Sequence, residues 1–247
     1  MSDVSTDDVR ALLRLSRETR ELPNGSRDQR QHALEGLSRI VGAQVGIWVD
    51  FDPGPPPRIV PVVDFGWSDE GSRAVFRRYI LEQQVFADPS LQPLSTRMKD
   101  GVSTFERSDL VSDREWYRSA HVMELRRDAG VDSFIYSGWL ANGQLQAFAM
   151  HRPWGDKPFG DRERTLVDAF HTESPWLHPP PSPIDTLPTR LKQVLGLLTK
   201  GLSEKQIAAE LTLSAHTIHD YVKALHRRLG VNSRGELLAL ALRANPR

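Results

Sequence analysis

Hydrophobic spacing along the first 177 residues changes period several times, and each change marks an element. Residues 3–20 have the spacing of a charged amphipathic helix, with Val9, Leu12 and Leu13 on one side, a thin stripe suited to packing on a neighbouring element or a second subunit. Ser26 stands three residues before Gln29, the spacing of a reciprocal helix cap. Leu34, Leu37, Ile40 and Val41 continue the buried face, and Gly42 supplies the stop. From Ala43 the period drops to two: Val45, Ile47, Val49 and Phe51 alternate with Gln44, Gly46, Trp48 and Asp50, predicting a half-buried strand. A proline-rich loop (DPGPPPR) leads to a second strand over Ile59–Phe65, where Pro61 implies a sheet edge or a bulge. Residues 68–84 have helical spacing, with Val75, Phe76, Tyr79 and Ile80 apolar; 86–107 show no clear period; 113–128 return to helix with Trp116, Tyr117, Val122 and Leu125. In FIYSGWLANGQLQAFAMH, Asn142-Gly143 between alternating runs predicts a two-residue hairpin turn. A helix over 161–176 buries Leu166, Val167 and Phe170 and ends at Pro175. Helices flanking and crossing an antiparallel sheet of about five strands give an α+β class for residues 1–177.

The prolines of HPPPSP, residues 178–183, favour an extended connection that separates two cores. Residues 184–247 then keep helical spacing throughout. In GLSEKQIAAELTLSAHTIHDYVKALHRRLGVNSRGELL, residues 201–238, every junction carries a signal. Ser203 with Gln206 and Ser233 with Glu236 form capping boxes, Ser214 and Thr217 open the helix between them, and Gly230 closes it. On that middle helix, at about 100° per residue, Val222, Leu225 and Leu229 lie within about 40° of Ile218. His216, His219, Asp220, Lys223 and Arg227 occupy the opposite arc, from about 100° to 200°. An aliphatic stripe holding a helix down while a cationic, hydrogen-bonding face stays free matches the needs of a major-groove reader.

This C-terminal stretch resembles the LuxR-type helix-turn-helix domain of bacterial transcription regulators, a four-helix unit that dimerises through its last helix. The resemblance covers about Leu187–Leu242 and rests on VLGLLTKGLSEKQIA, LSAHTI and LHRRLGVNSRGELLA in order and at family spacing. It implies base contacts at His219, Asp220 and Lys223 and phosphate contacts at Lys205 and Thr217. With Ser214, His216 and Arg227 these make the expected DNA-binding set. Three positions depart from the family: His219 replaces its usual Lys, Tyr221 its usual His, and Leu191 an acid. In the last helix, RGELLALALR, the residues Leu237, Leu238, Leu240 and Leu242 spread around the circumference. One side enters the core, and the set is expected to serve dimerisation. The order of elements before the prolines, and the ending HRPWGDKPFGDRERTLVDAF, resemble GAF- or PAS-like sensor domains found ahead of such output domains. No ligand residues transfer. The signature of cyclic-nucleotide GAF domains is missing, and the pocket pattern of acyl-homoserine-lactone receptors is reduced to Tyr79 with Asp88-Pro89.

Charge sharpens the division. The chain is neutral overall, with 32 basic and 32 acidic residues, yet residues 184–247 hold ten Lys and Arg against five Asp and Glu, leaving 22 against 27 before them. The resulting +5 and −5 suit one module that binds nucleic acid and one that does not. With no cysteine, disulfides, thiolate nucleophiles and bilin attachment are excluded, and no targeting or apolar segment argues against a cytoplasmic home. All six tryptophans and nine phenylalanines precede His178; Trp48, Trp67, Trp116 and Trp139 are available to fill a core or line a pocket. His216 and His219 have metal-compatible spacing but no third ligand. No nucleophile elbow or phosphate loop occurs, and Asp50 and Asp52 sit in an antiparallel pattern unlike a phospho-acceptor domain. The expectation is a dimeric, non-enzymatic regulator needing no cofactor or metal and binding an inverted repeat in double-stranded DNA. It consists of a sensor domain (1–177), a linker (178–183) and a DNA-binding domain (184–247), with the sensor ligand unknown. The alternative is a protein-interaction module that keeps the helix-turn-helix fold without DNA contact.

Overall fold

The alternation at Val45 lies inside a five-stranded antiparallel sheet of order β2-β1-β5-β4-β3, with β1 Val45–Asp52, β2 Arg58–Phe65, β3 Gly101–Glu106, β4 Val131–Ala141 and β5 Gln144–Pro153. This computed structural model describes residues 4–52, 58–82, 84–141, 144–178, 183, 184 and 186–244, and it separates into two compact units, Met1–Pro179 and Pro180–Arg247. Strand β2 is an edge, and its register against β1 shifts between Trp48 and Val49, so Pro61, opposite Val49, is tolerated for both expected reasons. Ala141 pairs with Gln144, which fixes a two-residue hairpin; Asn142 and Gly143 themselves lie outside the described residues, as does 53–57 of the proline-rich loop.

Strand β1 is not half-buried. It runs between β2 and β5, and helices cover both faces: Val45 and Ile47 are buried on one, Trp48 fully buried on the other. Helices α1 (Thr6–Arg20), α2 (Arg27–Val41) and α7 (Asp161–Thr172) lie on the Trp48 face, where Leu34, Leu37, Phe148, Leu166 and Phe170 share its core. On the opposite face, α3 (Glu70–Leu81) brings Phe76, Tyr79 and Ile80 against Val45 and Ile47. Short helices α4 (Leu91–Arg97), α5 (Arg107–Leu110) and α6 (Asp113–Trp116) help enclose a third cluster around Trp116, Val122 and Phe134.

Several local expectations shift for identifiable reasons. Helix α1 buries Leu15 and Thr19 while Val9 and Leu13 stay exposed, because Asp8 pairs with Arg162 of α7 and sets the helix rotation. Leu15 also fills the space a side chain at Gly36 would need. Ser26 caps α2, but the buried Gln29 carboxamide does not return to it. It accepts from Gly25 N–H and donates to the Thr19 carbonyl, tying the preceding turn. The helix expected over 113–128 breaks after Trp116, whose indole N–H and the Tyr117 hydroxyl both donate to Asp132 at 2.9 Å. A wide turn over Val122–Arg126 follows. Helix α7 stops at Thr172, before a short 3-10 turn at Pro175–Leu177. His178, expected to open the linker, is instead buried in the first unit; residues 179–182 lie outside the described set.

The second unit comprises α8 (Thr189–Thr199), α9 (Glu204–Glu210), α10 (Ala215–Leu229) and α11 (Arg234–Ala244). Its core is aliphatic: Leu191, Val194, Leu195 and Leu198 from α8 meet Ile207, Ile218, Leu225 and Leu237. Leu191, where the family often has an acid, is 5 % exposed and simply joins this core.

Candidate nucleic-acid interface

Helix α10 is positioned by signals at both ends. Ser214 is its N-cap, its hydroxyl accepting from Thr217 N–H at 3.0 Å. Gly230 closes it in the left-handed conformation that favours glycine, at φ 66°. Helix α9 precedes it with both halves of the Ser203–Gln206 box formed. The turn between them is tight: Leu213 N–H reaches the Ala208 carbonyl at 2.9 Å, and Thr212 is held at φ 55°. A β-branched residue is unfavourable there, which marks this corner as strained by the packing around it.

The stripe holds as expected in direction. Ile218 and Leu225 are fully buried, while Val222 and Leu229 are partly covered at its margins. Burying the first two stabilises the unit by about 1.5–3 kcal/mol each. On the other side, His216, His219, Asp220, Lys223 and Arg227 are all exposed, as is Lys205 on α9. Among the described residues, Lys205, Lys223 and Arg227 make no ion pair, leaving their charges free for a partner.

Not every expected contact residue is equally free. His219 Nδ1 lies 3.2 Å from a Glu204 carboxylate oxygen on α9, and His216 lies 3.5 Å from Asp220 one turn along. Thr217 is only partly exposed, and its hydroxyl sits 2.8 Å from that of Ser214, so these two residues primarily build the helix start. The Glu204–His219 pair ties the entry of α9 to the outward face of α10.

An open groove of about 680 Å³ runs beside this face, lined by Glu204, His219, Lys223, Arg227 and Arg234 with Leu237 at its floor. Arg234 escaped the sequence reading. Its guanidinium donates to the Leu202 carbonyl at 2.9 Å, bridging the start of α11 to the turn before α9 and adding a cation to the groove. Its only signal was a basic residue directly after a cap serine, a common arrangement. The second cap is half-formed: Ser233 accepts from Glu236 N–H, but the Glu236 carboxylate reaches Asn232 N–H one residue further back.

The expected dimerisation set divides. Leu237 is fully buried in the core of its own unit and is unavailable to a second subunit, a correction that follows from α11 having to close the α8–α10 cluster. Leu238 and Leu240 are partly exposed, and the Leu242 side chain lies outside the described residues.

Residues 185–241 match the family of bacterial regulatory proteins, luxR family. Response regulator Rre1 of Synechocystis sp. is 44 % identical over 68 residues, 27 % of this chain and 29 % of that one, so the chain spans under a third of this relative. The nitrate/nitrite response regulator protein NarP of Escherichia coli is 29 % identical over 188 residues, 75 % of this chain and 82 % of its own. Among solved structures, Escherichia coli SdiA aligns over 96 % of this chain and 95 % of its own at 16 % identity, with a TM-score of 0.47. The VqsR LBD domain from Pseudomonas aeruginosa aligns over 71 % of this chain and 100 % of its own at 12 % identity, with a TM-score of 0.49. Residues 185–241 are therefore a LuxR-family domain.

Proposed function

We propose that residues 184–247 bind double-stranded DNA as an isologous dimer and that the N-terminal unit is a GAF/PAS-like sensor controlling them. One observation carries the DNA reading: α10 is fastened by Ile218 and Leu225 while Lys223 and Arg227 stand exposed and unpaired on its far side. In this reading His219, Asp220 and Lys223 contact bases, whereas Lys205, Arg227 and Arg234 position the domain on phosphates. Leu238 and Leu240 on α11 supply the second-subunit contact. Two recognition helices about one DNA turn apart would select a short inverted repeat. Among the described residues no helix is long and apolar enough to cross a membrane, consistent with action on DNA in the cytoplasm.

Sensing by the first unit is supported by a buried polar nest beside α3. Asp88 and Arg126 pair at 2.7 Å, and Tyr79 donates to Asp88. Close by, one Arg126 nitrogen, both His151 nitrogens and His121 Nε2 are buried without a partner among the described residues. Such groups favour a guest that brings complementary hydrogen bonds.

Selection from a random DNA pool with the full-length protein tests the reading, followed by anisotropy with the enriched duplex. Lys223→Ala should weaken specific binding by about 1–3 kcal/mol. The affinity of the wild type should fall steeply with added salt. A salt-independent interaction with protein and no enriched sequence would instead support a helix-turn-helix module that docks on protein.

A further inference from the structure

The Trp48 face of the sheet contains a run of hydrogen-bonded side chains that the regulatory reading does not use. Thr104 of β3 lies 2.8 Å from Ser137 of β4, whose hydroxyl is 2.6 Å from His171 Nδ1 on α7. His171 Nε2 is 2.8 Å from His178 Nε2, and His178 Nδ1 is 2.8 Å from the Gln146 carboxamide oxygen on β5. Ser137, His171 and His178 are at most 4 % exposed. The His178 ring also stacks on Trp139 of β4, 4.5 Å between centroids and 8° from parallel.

The end of this run dictates its protons. The Gln146 oxygen only accepts, so His178 carries its proton on Nδ1 and accepts at Nε2. His171 must then donate from Nε2 and accept at Nδ1, which obliges Ser137 to donate to it and Thr104 to donate to Ser137. Both imidazoles are neutral in this arrangement. Burial keeps His171 well below the ordinary imidazole value, while burial and the Arg30 charge lower His178 to about 3. Arg30 of α2, with Asp50 of β1 as its partner at 3.3 Å, is the charged pair facing His178.

The position of His178 gives the run its meaning. Three prolines follow it directly in sequence, and the turn Pro175–Leu177 leading to it is also held by the fully buried Leu177 and by Trp176, which packs against the same core. Leu177 is held by apolar packing, which is indifferent to small strand displacements. His178 needs groups from β3, β4, β5 and α7 in line within hydrogen-bond distance.

We infer that this relay is an alignment-sensitive latch that sets where the first unit ends. When the strands are in register, the connecting segment starts after His178. When β3, β4 or β5 shifts out of hydrogen-bond range, His178 loses its partners and passes into the connection, while Leu177 and Trp176 keep their apolar contacts. Extended, His178 adds roughly 3.3–3.6 Å of reach. Strand movement is thereby converted into tether length. The inference is independent of DNA binding and can fail or hold whatever the second unit binds.

Two measurements on the full-length protein test it. Histidine nitrogen NMR at neutral pH should find His171 as the Nε2–H tautomer and His178 as the Nδ1–H tautomer. Gln146→Leu, which removes the terminal acceptor, should abolish that fixed order. Hydrogen exchange should find the His178 amide at least tenfold faster in His178→Phe, which keeps the stack, and in the milder Ser137→Ala, with the Leu177, β1 and β5 amides unchanged. Tautomers in another arrangement, unchanged exchange in Ser137→Ala, or loosening spread evenly over the sheet would each overturn the latch.

Discussion

The two units bury different chemistry. The core of the second is aliphatic, from Leu187 to Ala241, and its charges lie outside. The first buries Arg30, Asp88, Arg107, Arg126, Asp132, Arg152 and three histidines among its aromatics. An aliphatic core needs only the right side of each helix turned inward, whereas a buried ion or imidazole needs a named partner from elsewhere in the chain. The first unit is accordingly the one whose stability and structure should answer to protonation and to single polar atoms.

The sharpest break between the units should come at Arg126. Arg126→Ala strands the buried Asp88 carboxylate, which then keeps only Ser90 and Tyr79, and should cost about 3–5 kcal/mol in urea unfolding. Replacing both partners by apolar residues should cost much less; if the single and double variants unfold alike, the pair is not what Asp88 depends on. The matching change in the second unit, Leu225→Ala, leaves an apolar cavity and should cost about 2–5 kcal/mol. It should leave the tryptophan-detected transition in place, since all six tryptophans belong to the first unit. A shift of that transition would mean the two units unfold together.

Acid should separate the units next. Burial holds His151 and His171 well below the usual 6.5, and burial with Arg30 lowers His178 to about 3. The unfolded chain takes up protons below about pH 6.5 that these folded imidazoles refuse, so their contribution is complete above that pH. As pH drops from about 6.5 toward 3, His178 alone should cost the first unit about 1.4 kcal/mol per pH unit, and His151 and His171 add to the loss in the same direction. Tryptophan fluorescence during urea unfolding at several pH values reads this directly, and a flat profile between pH 4 and 6.5 would contradict it. The smallest effect belongs to the corner before α10. Thr212→Gly relieves the positive φ and should stabilise the second unit by about 1 kcal/mol, visible as a raised melting temperature by circular dichroism.

The same contrast explains what was legible in the chain. Helices α8–α11 announce themselves through caps and an aliphatic stripe, and Ile218, Leu225, Lys223 and Arg227 fall where the spacing puts them. Alternation and Asn142-Gly143 were enough for the hairpin, since strand spacing and turn chemistry are local. Strand β3 left no trace, because each of its residues is half-covered and no alternation survives. Trp48 was assigned to the polar side of β1, since a single strand does not say that helices cover both faces of its sheet. The Asp88–Arg126 pair spans 38 residues and the Ser137–His171 contact 34, separations at which no spacing rule operates. Arg234 was missed for a related reason: its partner, the Leu202 carbonyl, is 32 residues away.

The bond between Asp8 and Arg162, 154 residues apart, has a topological consequence. It joins the first helix of the N-terminal unit to the last, and Arg20 at the far end of α1 stacks on Trp176 at 4.7 Å. The two helices therefore run alongside each other in the same direction, with the start of α1 at the start of α7 and the far end of α1 beside Trp176, where the chain leaves this unit. A circular permutant that splices the two ends of this unit therefore needs a linker spanning roughly the length of α1, on the order of 20 Å at 1.5 Å per residue, and a reporter fused ahead of α1 would sit at the opposite end of that helix from the point where the polypeptide departs.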